Sequence, residues 1–412
     1  MDIETSVKEL MKKNRRKFGD HKFTVPSPDT YPFQWLWDSC FHAIILSHLD
    51  LKAAKREIQS VLSHPLPSGM LPHMIYWKDE SLDEDDDEEQ PNWGREERGA
   101  EINAAWKNKG SSTITQPPLV AMAILRVYEV DKDLDFLRPL YGPLRQHFAY
   151  LATERTFNDD ALVYIINPDE SGEDNSPRFD EALLLPPKHT ANEHLDKRLA
   201  LMNQNAACNF AAKACMSNHF GVADVSFNVL YADDLMAMAK IAHLLGYRDE
   251  AAEYSARAAA VQCDLMDQLR SKDVFLSYDR VHKAIIPILT WNIFMPLYGG
   301  FLTPEEAKTL VDTYLKDEQY FMTPHGLTTT AKTEAAYDPN DGFWRGPIWL
   351  APHWFLYHGL KRYGFTAEAE MIKQKTLTLI EKSGFREHYH PETGEGMGAN
   401  DFTWGGLVID MN

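Results

Sequence analysis

Asp224-Val-Ser-Phe-Asn-Val-Leu-Tyr-Ala-Asp-Asp-Leu-Met-Ala-Met-Ala-Lys-Ile-Ala-His-Leu-Leu-Gly246 carries apolar residues at three- and four-residue spacing from end to end. This is the period of a helix. Asp224 stands where an N-cap belongs and Gly246 where a left-handed stop belongs, so the spacing predicts a helix over 225–245. A second helical pattern follows at once, from Arg248 to Leu269, and the two read as an antiparallel pair. The same period marks Ser39 to Leu49, Lys52 to Leu62, Pro118 to Glu129, Leu134 to Arg155, Thr303 to Leu315, Trp349 to Tyr363 and Thr366 to Ser383. Neither a βαβ alternation nor a regular series of strands is visible. The expected fold is all-α. A toroid of helical hairpins is its natural closed form, because each hairpin must bury one face against its neighbours and a ring leaves no exposed end.

The 412 residues suffice for two or three average domains or for one large helical domain. A formal charge of −19 argues against binding nucleic acid through its phosphates. Cys40, Cys208, Cys215 and Cys263 form no metal-type pair and are too sparse for a disulfide framework, so reduced, mostly buried thiols are expected. The N-terminus opens no apolar run of signal-peptide type, and no stretch of about eighteen apolar residues occurs. A soluble cytoplasmic protein without membrane partners is the expectation, with homo-oligomerisation left open.

Long connections of unusual chemistry separate the helices: Gly69 to Trp77, Gln90 to Pro118, Asn167 to Pro187, Tyr337 to Trp349 and Phe385 to Trp404. Loops of such length and composition are more often functional than incidental. Residues 79–90 open with nine acidic residues in eleven, without the glycine and terminal glutamate of an EF-hand. They read as a solvated surface loop, with a lid beside the site as the alternative.

Asn167-Pro-Asp-Glu-Ser-Gly-Glu-Asp-Asn-Ser-Pro-Arg-Phe-Asp180 crowds five carboxylates between two helical segments. Glycoside cleavage needs such groups: one carboxylic acid to protonate the leaving oxygen and a second carboxylate to activate water or attack. Partners come from Phe385-Arg-Glu-His-Tyr-His-Pro-Glu-Thr-Gly-Glu395, where Glu387, in a short extended segment, and Glu395, between two glycines, compete for the second role and Glu392 reads as exposed. In Tyr31-Pro-Phe-Gln-Trp-Leu-Trp-Asp38 the two tryptophans are expected to project to opposite sides, one as a platform for a sugar face, with Asp38 capping the next helix. A structural cap with core tryptophans fits that segment about as well. Trp344, Arg345 and Trp349 repeat the composition, and Gln116 before Pro117 is either a ligand group or a capping residue.

Gln34-Trp-Leu-Trp-Asp38, Glu170-Ser-Gly-Glu-Asp-Asn-Ser-Pro177, Trp344-Arg-Gly-Pro-Ile-Trp349 and Glu387-His-Tyr-His-Pro-Glu-Thr-Gly394, followed by Phe402-Thr-Trp404, resemble glycoside hydrolase family 63 and, more distantly, the trehalases of family 37. The blocks stand in family order across positions 34 to 404. The resemblance implies a single catalytic domain over 1–412, built as an (α/α)6 barrel, and an inverting mechanism needing no metal or organic cofactor. In it Asp174 is the general acid and Glu387 the general base, about 6.5–9.5 Å apart. Asn167-Pro-Asp169 departs from the aromatic or His-Pro-Trp flavour usual before Glu-Ser-Gly, which implies a different wall there.

The short length resembles the small bacterial members that hydrolyse mannosylglycerate and glucosylglycerate. By that resemblance Tyr31, Tyr76 and Gln116 hold the glycerate half and Trp35, Trp37, Asp38 and Trp344 the sugar half, with Arg345 a further substrate-binding candidate. Three alternatives remain: an α-glucosidase acting on short oligosaccharides; a sugar epimerase of the same toroidal shape, using histidines such as His388 and His390; and a non-catalytic sugar-binding module.

Overall fold

The computed structural model describes residues 2–77, 110–340 and 342–412. The acidic loop 79–90 and residues 90–109 of the Gln90 to Pro118 connection lie outside the described residues. The chain is mostly helical, and among the described residues no helix is long and apolar enough to cross a membrane.

The helix Val225–Leu245 has the ends read from the sequence. The Asp224 carboxylate accepts from the Phe227 N–H at 3.0 Å, and Gly246 closes the helix with φ +91°. A helix apolar all round belongs inside, and this one is buried on nearly every face, whereas its partner Arg248–Asp264 buries only Tyr254, Ala258 and Val261. The contrast recurs elsewhere. Leu36–Leu49 is buried from Leu36 through Leu46, while Leu51–Val61 shows one apolar side. Leu350–Arg362 is buried almost throughout, while Thr366–Ser383 buries Ala369, Ile372, Thr376, Leu379 and Ile380. Each pair is thus an inner helix and an outer one. The inner elements Leu36–Leu49, Val120–Asp131, Val225–Leu245, Met295–Gly299, Leu350–Arg362 and the 3-10 segment Thr403–Asp410 each pack on the next, and the last packs on the first.

Several expectations change. Ile3–Lys13, Ala191–Ala207 and Ala212–Asn218 are helices that the periodicity does not single out. Leu36–Leu49 begins three residues before Ser39, so Asp38 lies inside its first turn and caps nothing. The helices expected to reach Leu269 and Leu315 finish as π-helical turns, Leu265–Leu269 and Val311–Leu315. Phe385 to Trp404 contains a hairpin, Arg386–Tyr389 against Gly396–Asn400, rather than an open loop. The thiols are not all reduced: Cys208 is bonded to Cys215, while Cys40 is free and buried and Cys263 is free and exposed. The bonded pair brackets the tight turn between Ala191–Ala207 and Ala212–Asn218, which brings two cysteines seven residues apart into reach.

Candidate active site

The N-terminal ends of four of the inner elements border one cavity. Trp37 and Asp38 come from the first turn of Leu36–Leu49, Gln116 from just before Val120, Trp349 from just before Leu350, and Trp404 from the start of Thr403–Asp410. Helix N-termini carry a partial positive charge, so this end of the fold suits carboxylates and oxygen-rich ligands.

Three of the five carboxylates of the 167–180 loop are consumed by structure. Glu170 takes a bidentate bond from Arg155 at 2.7 and 2.5 Å and also accepts from the Thr115 and Ile166 N–H groups. Glu173 accepts from Arg178, Trp291 and Asn292 at 2.8 to 3.0 Å. Asp180 is gripped by Arg345 at 2.8 and 2.7 Å. Only Asp169 and Asp174 of the five face the cavity, and they share one cation, Arg198. Asp174 lies 2.7 Å from Arg198 Nη1, with its side chain 24% exposed; burial pushes its carboxyl above the ordinary range, against the pull of Arg198. Close beneath, Trp37 lies on Gly172, whose φ of +73° and lack of a Cβ permit that approach.

Glu387 reaches the cavity from the other end of the chain. It sits where the hairpin register shifts between Arg386 and His388, and such a bulge re-aims a side chain. Its Oε1 accepts from the Tyr31 hydroxyl at 2.5 Å and its Oε2 from the Ala399 N–H at 2.8 Å. Gly398, at φ +64°, presses against the same carboxylate, so a Cβ there would overlap it. Burial raises Glu387 to about 7; the Tyr31 and Ala399 bonds oppose the rise and the charge of Asp174 adds to it. A third carboxylate, Asp38, is raised by burial to about 6 and accepts from Trp404 Nε1 at 2.7 Å.

Tyr31, Trp35, Trp37, Asp38, Gln116, Asp174, Trp344 and Glu387 all line this cavity. Trp35 ends the strand Gln34–Trp35 and Trp37 opens a helix, a change of path that brings both to one cavity instead of to opposite sides. Trp344 stacks on Trp349 with centroids 4.0 Å apart. The Gln116 side-chain oxygen accepts from the Trp37 N–H at 3.2 Å, so it serves a helix start and also fronts the cavity. Two expected residues are not brought there. Tyr76 packs edge-on against Phe33 in a small apolar cluster with Trp35 and Met74. Arg345 is spent on Asp180 and the Pro187 carbonyl, which makes it a clamp on the loop. Glu395, the rival of Glu387, is exposed.

Arg198 and His73 are cavity residues that the sequence reading does not single out, and Asp169, one of the five carboxylates of the loop, joins them. Arg198 rides on Ala191–Ala207, whose capping box of Thr190 and Glu193 is a legible start signal. His73 donates to or accepts from Ser112 at 2.6 Å, and burial lowers it to about 4, so it is neutral at neutral pH. It is the imidazole among the described cavity residues; His388 instead stacks on Trp349, and His390 turns to Asn340. Asp180, His189 and His194 are close enough to hold a metal ion, but Arg345 already occupies both oxygens of Asp180.

Carboxylates with raised pKa values beneath stacking tryptophans are the working parts of sugar hydrolysis, and the chain is a glycoside hydrolase. Within that class it belongs to the family of mannosylglycerate hydrolase MGH1-like glycoside hydrolase domains, whose model matches residues 31–405. It is 31% identical to a mannosylglycerate hydrolase of Thermus thermophilus, covering 96% of this chain and 97% of that one. It is 25% identical to a glucosylglycerate hydrolase of Mycolicibacterium hassiacum, over 94% and 93% of the two chains. The crystal structure of a GH63 mannosylglycerate hydrolase from Thermus thermophilus, in complex with Tris and D-glycerate, matches with a TM-score of 0.85 at 28% identity, covering 99% of each chain.

Proposed function

We propose that the protein hydrolyses the α-glycosidic bond of mannosylglycerate or glucosylglycerate, with inversion, to free sugar and glycerate. The observation that carries the reading is the meeting of Asp174 and Glu387, 387 − 174 = 213 residues apart, in one tryptophan-walled cavity that also contains Arg198. Asp174, protonated, gives its proton to the glycosidic oxygen as the bond to the anomeric carbon breaks. Glu387, ionised, takes a proton from a water that attacks the anomeric carbon from the opposite face. The Tyr31 hydroxyl and the Ala399 N–H favour the ionised form of Glu387 against the effect of its burial. Trp35, Trp37 and Trp344 offer apolar faces to the sugar, Asp38 offers a hydrogen-bonding group to its hydroxyls, and Gln116 offers one to the glycerate. A glycerate carboxylate needs a cation, and Arg198 is the arginine among the described cavity residues.

The closed ring of six inner elements supports an (α/α)6 barrel, and the run of one hydrophobic core from Val7 to Met411 supports a single catalytic domain. A cytoplasmic location belongs to the same proposal. The Cys208–Cys215 bond is then an exception to the reducing rule of that compartment, and thiol titration of protein purified without oxygen measures it. The function is tested by incubating the protein with mannosylglycerate, glucosylglycerate and short α-glucosides and following free sugar. Release of glycerate from either of the first two is expected. Turnover of the α-glucosides alone would transfer the reading to an oligosaccharide glucosidase, and turnover of none would leave a binding module.

A further inference from the structure

We propose that the substrate's own carboxylate switches on the general acid, by displacing Asp174 from Arg198 so that Asp174 takes up the proton it must donate. The inference rests on the hydrolytic reading above and deepens it.

A general acid has to be protonated when the substrate is bound. Asp174 stands 2.7 Å from the Arg198 guanidinium, a partner that favours the ionised form and opposes the rise that burial gives this carboxyl. The division of labour on Arg198 shows how this can change. Its Nε and Nη2 are engaged by Asp169, which leaves Nη1 as the link to Asp174. The arginine itself cannot follow a ligand far, because it rides on Ala191–Ala207, which is anchored by its capping box, and Asp169 grips the other side of its fork. A ligand carboxylate that enters the cavity and seeks Arg198, the cation among the described cavity residues, therefore competes for the Asp174 position.

The charges around Asp174 act in the same direction. Asp169 on the preceding turn pairs with Arg198, Glu387 on the hairpin contributes negative charge when ionised, and so does Asp38 on the first inner helix. Tyr31 is kept neutral by burial, as is His194, which lies one turn before Arg198 on the same helix. With Asp169, Asp174 and the ligand around a single guanidinium, three negative charges face one positive charge. Protonation of Asp174 relieves that excess. It also removes a charge that raises Glu387, so the same event leaves the base more easily ionised. A glycoside without a carboxylate would bind beside an Asp174 still paired with Arg198 and would find the acid protonated only at lower pH. Arg198 then determines specificity through turnover as well as through binding.

The test compares mannosylglycerate with mannosylglycerol, which has the same sugar and linkage but no carboxylate, on the unmodified protein across pH. The descending limb of kcat is expected at least about one pH unit higher for the glycerate compound, since a like charge at this range moves a carboxyl by that order. Above the lower limb, this is about a tenfold advantage in kcat per unit. In Arg198→Gln the two limbs should coincide. Coincident limbs in the unmodified protein would overturn the switch while leaving the hydrolytic reading intact. Failure to hydrolyse mannosylglycerate at all would overturn that reading and the switch with it. The comparison of substrates on the unmodified protein decides the question even if Arg198→Gln fails to fold.

Discussion

Replacing Tyr31 by Phe removes the hydroxyl that donates to Glu387 Oε1 at 2.5 Å and leaves the aromatic packing on Trp35 and Phe402 in place. A hydrogen bond to a charged group contributes about 1.5–3 kcal/mol, and one pKa unit corresponds to about 1.36 kcal/mol. The bond favours the ionised carboxylate, so its loss raises Glu387 from about 7 by a further ~1–2 units. The sign for activity follows directly. The base must be ionised, so the ascending limb of kcat/KM should move to higher pH by that amount. At pH 6 the variant should be slower by about 10- to 100-fold and should recover as the solution is made alkaline. The assay is the pH dependence of initial rates, with far-UV circular dichroism to confirm the fold. An ascending limb that stays in place in Tyr31→Phe, with activity lost evenly at all pH values, would refute the role given to this hydrogen bond.

Asp174→Asn and Glu387→Gln should each lower kcat by about 10²–10⁴-fold, whereas Glu395→Ala, on an exposed residue, should leave it unchanged; steady-state kinetics on all three separates the two candidate bases. In Gly398→Ala the new methyl group meets the Glu387 carboxylate at a positive φ, so kcat should fall at least about tenfold while the melting temperature drops by only a few degrees. Arg345→Met leaves the buried Asp180 without its partner and should cost about 3–5 kcal/mol in urea unfolding, through loss of the loop clamp and not of a substrate contact.

The helical frame is readable because its signals are local. Val225–Leu245 carries its own period, cap and stop, and the structure keeps all three. The site is readable only in part, because proximity in space has no period. Asp174 and Glu387 lie in segments of unusual composition, which a sequence displays, but Tyr31 meets Glu387 across 356 residues of chain. Arg345 looks from sequence like any cation beside tryptophans, and only the fold reveals that Asp180 uses both arms of its fork. Arg198 escapes notice for the opposite reason: its helix mixes charges on a weak apolar pattern, and there the Thr190-Ala-Asn-Glu193 start signal carries more information than the period. The hairpin that carries Glu387 has strands of four and five residues, one of them holding two glycines, too short and too irregular for alternation to show.

The central claim is that Asp174 and Glu387 act on opposite faces of the sugar, with water as the nucleophile. Proton NMR of the first turnovers on an α-linked mannosylglycerate or glucosylglycerate measures this directly, before mutarotation mixes the anomers. The account requires the β-anomer of the free sugar to appear first. First appearance of the α-anomer would mean retention, a covalent intermediate and a different role for Glu387.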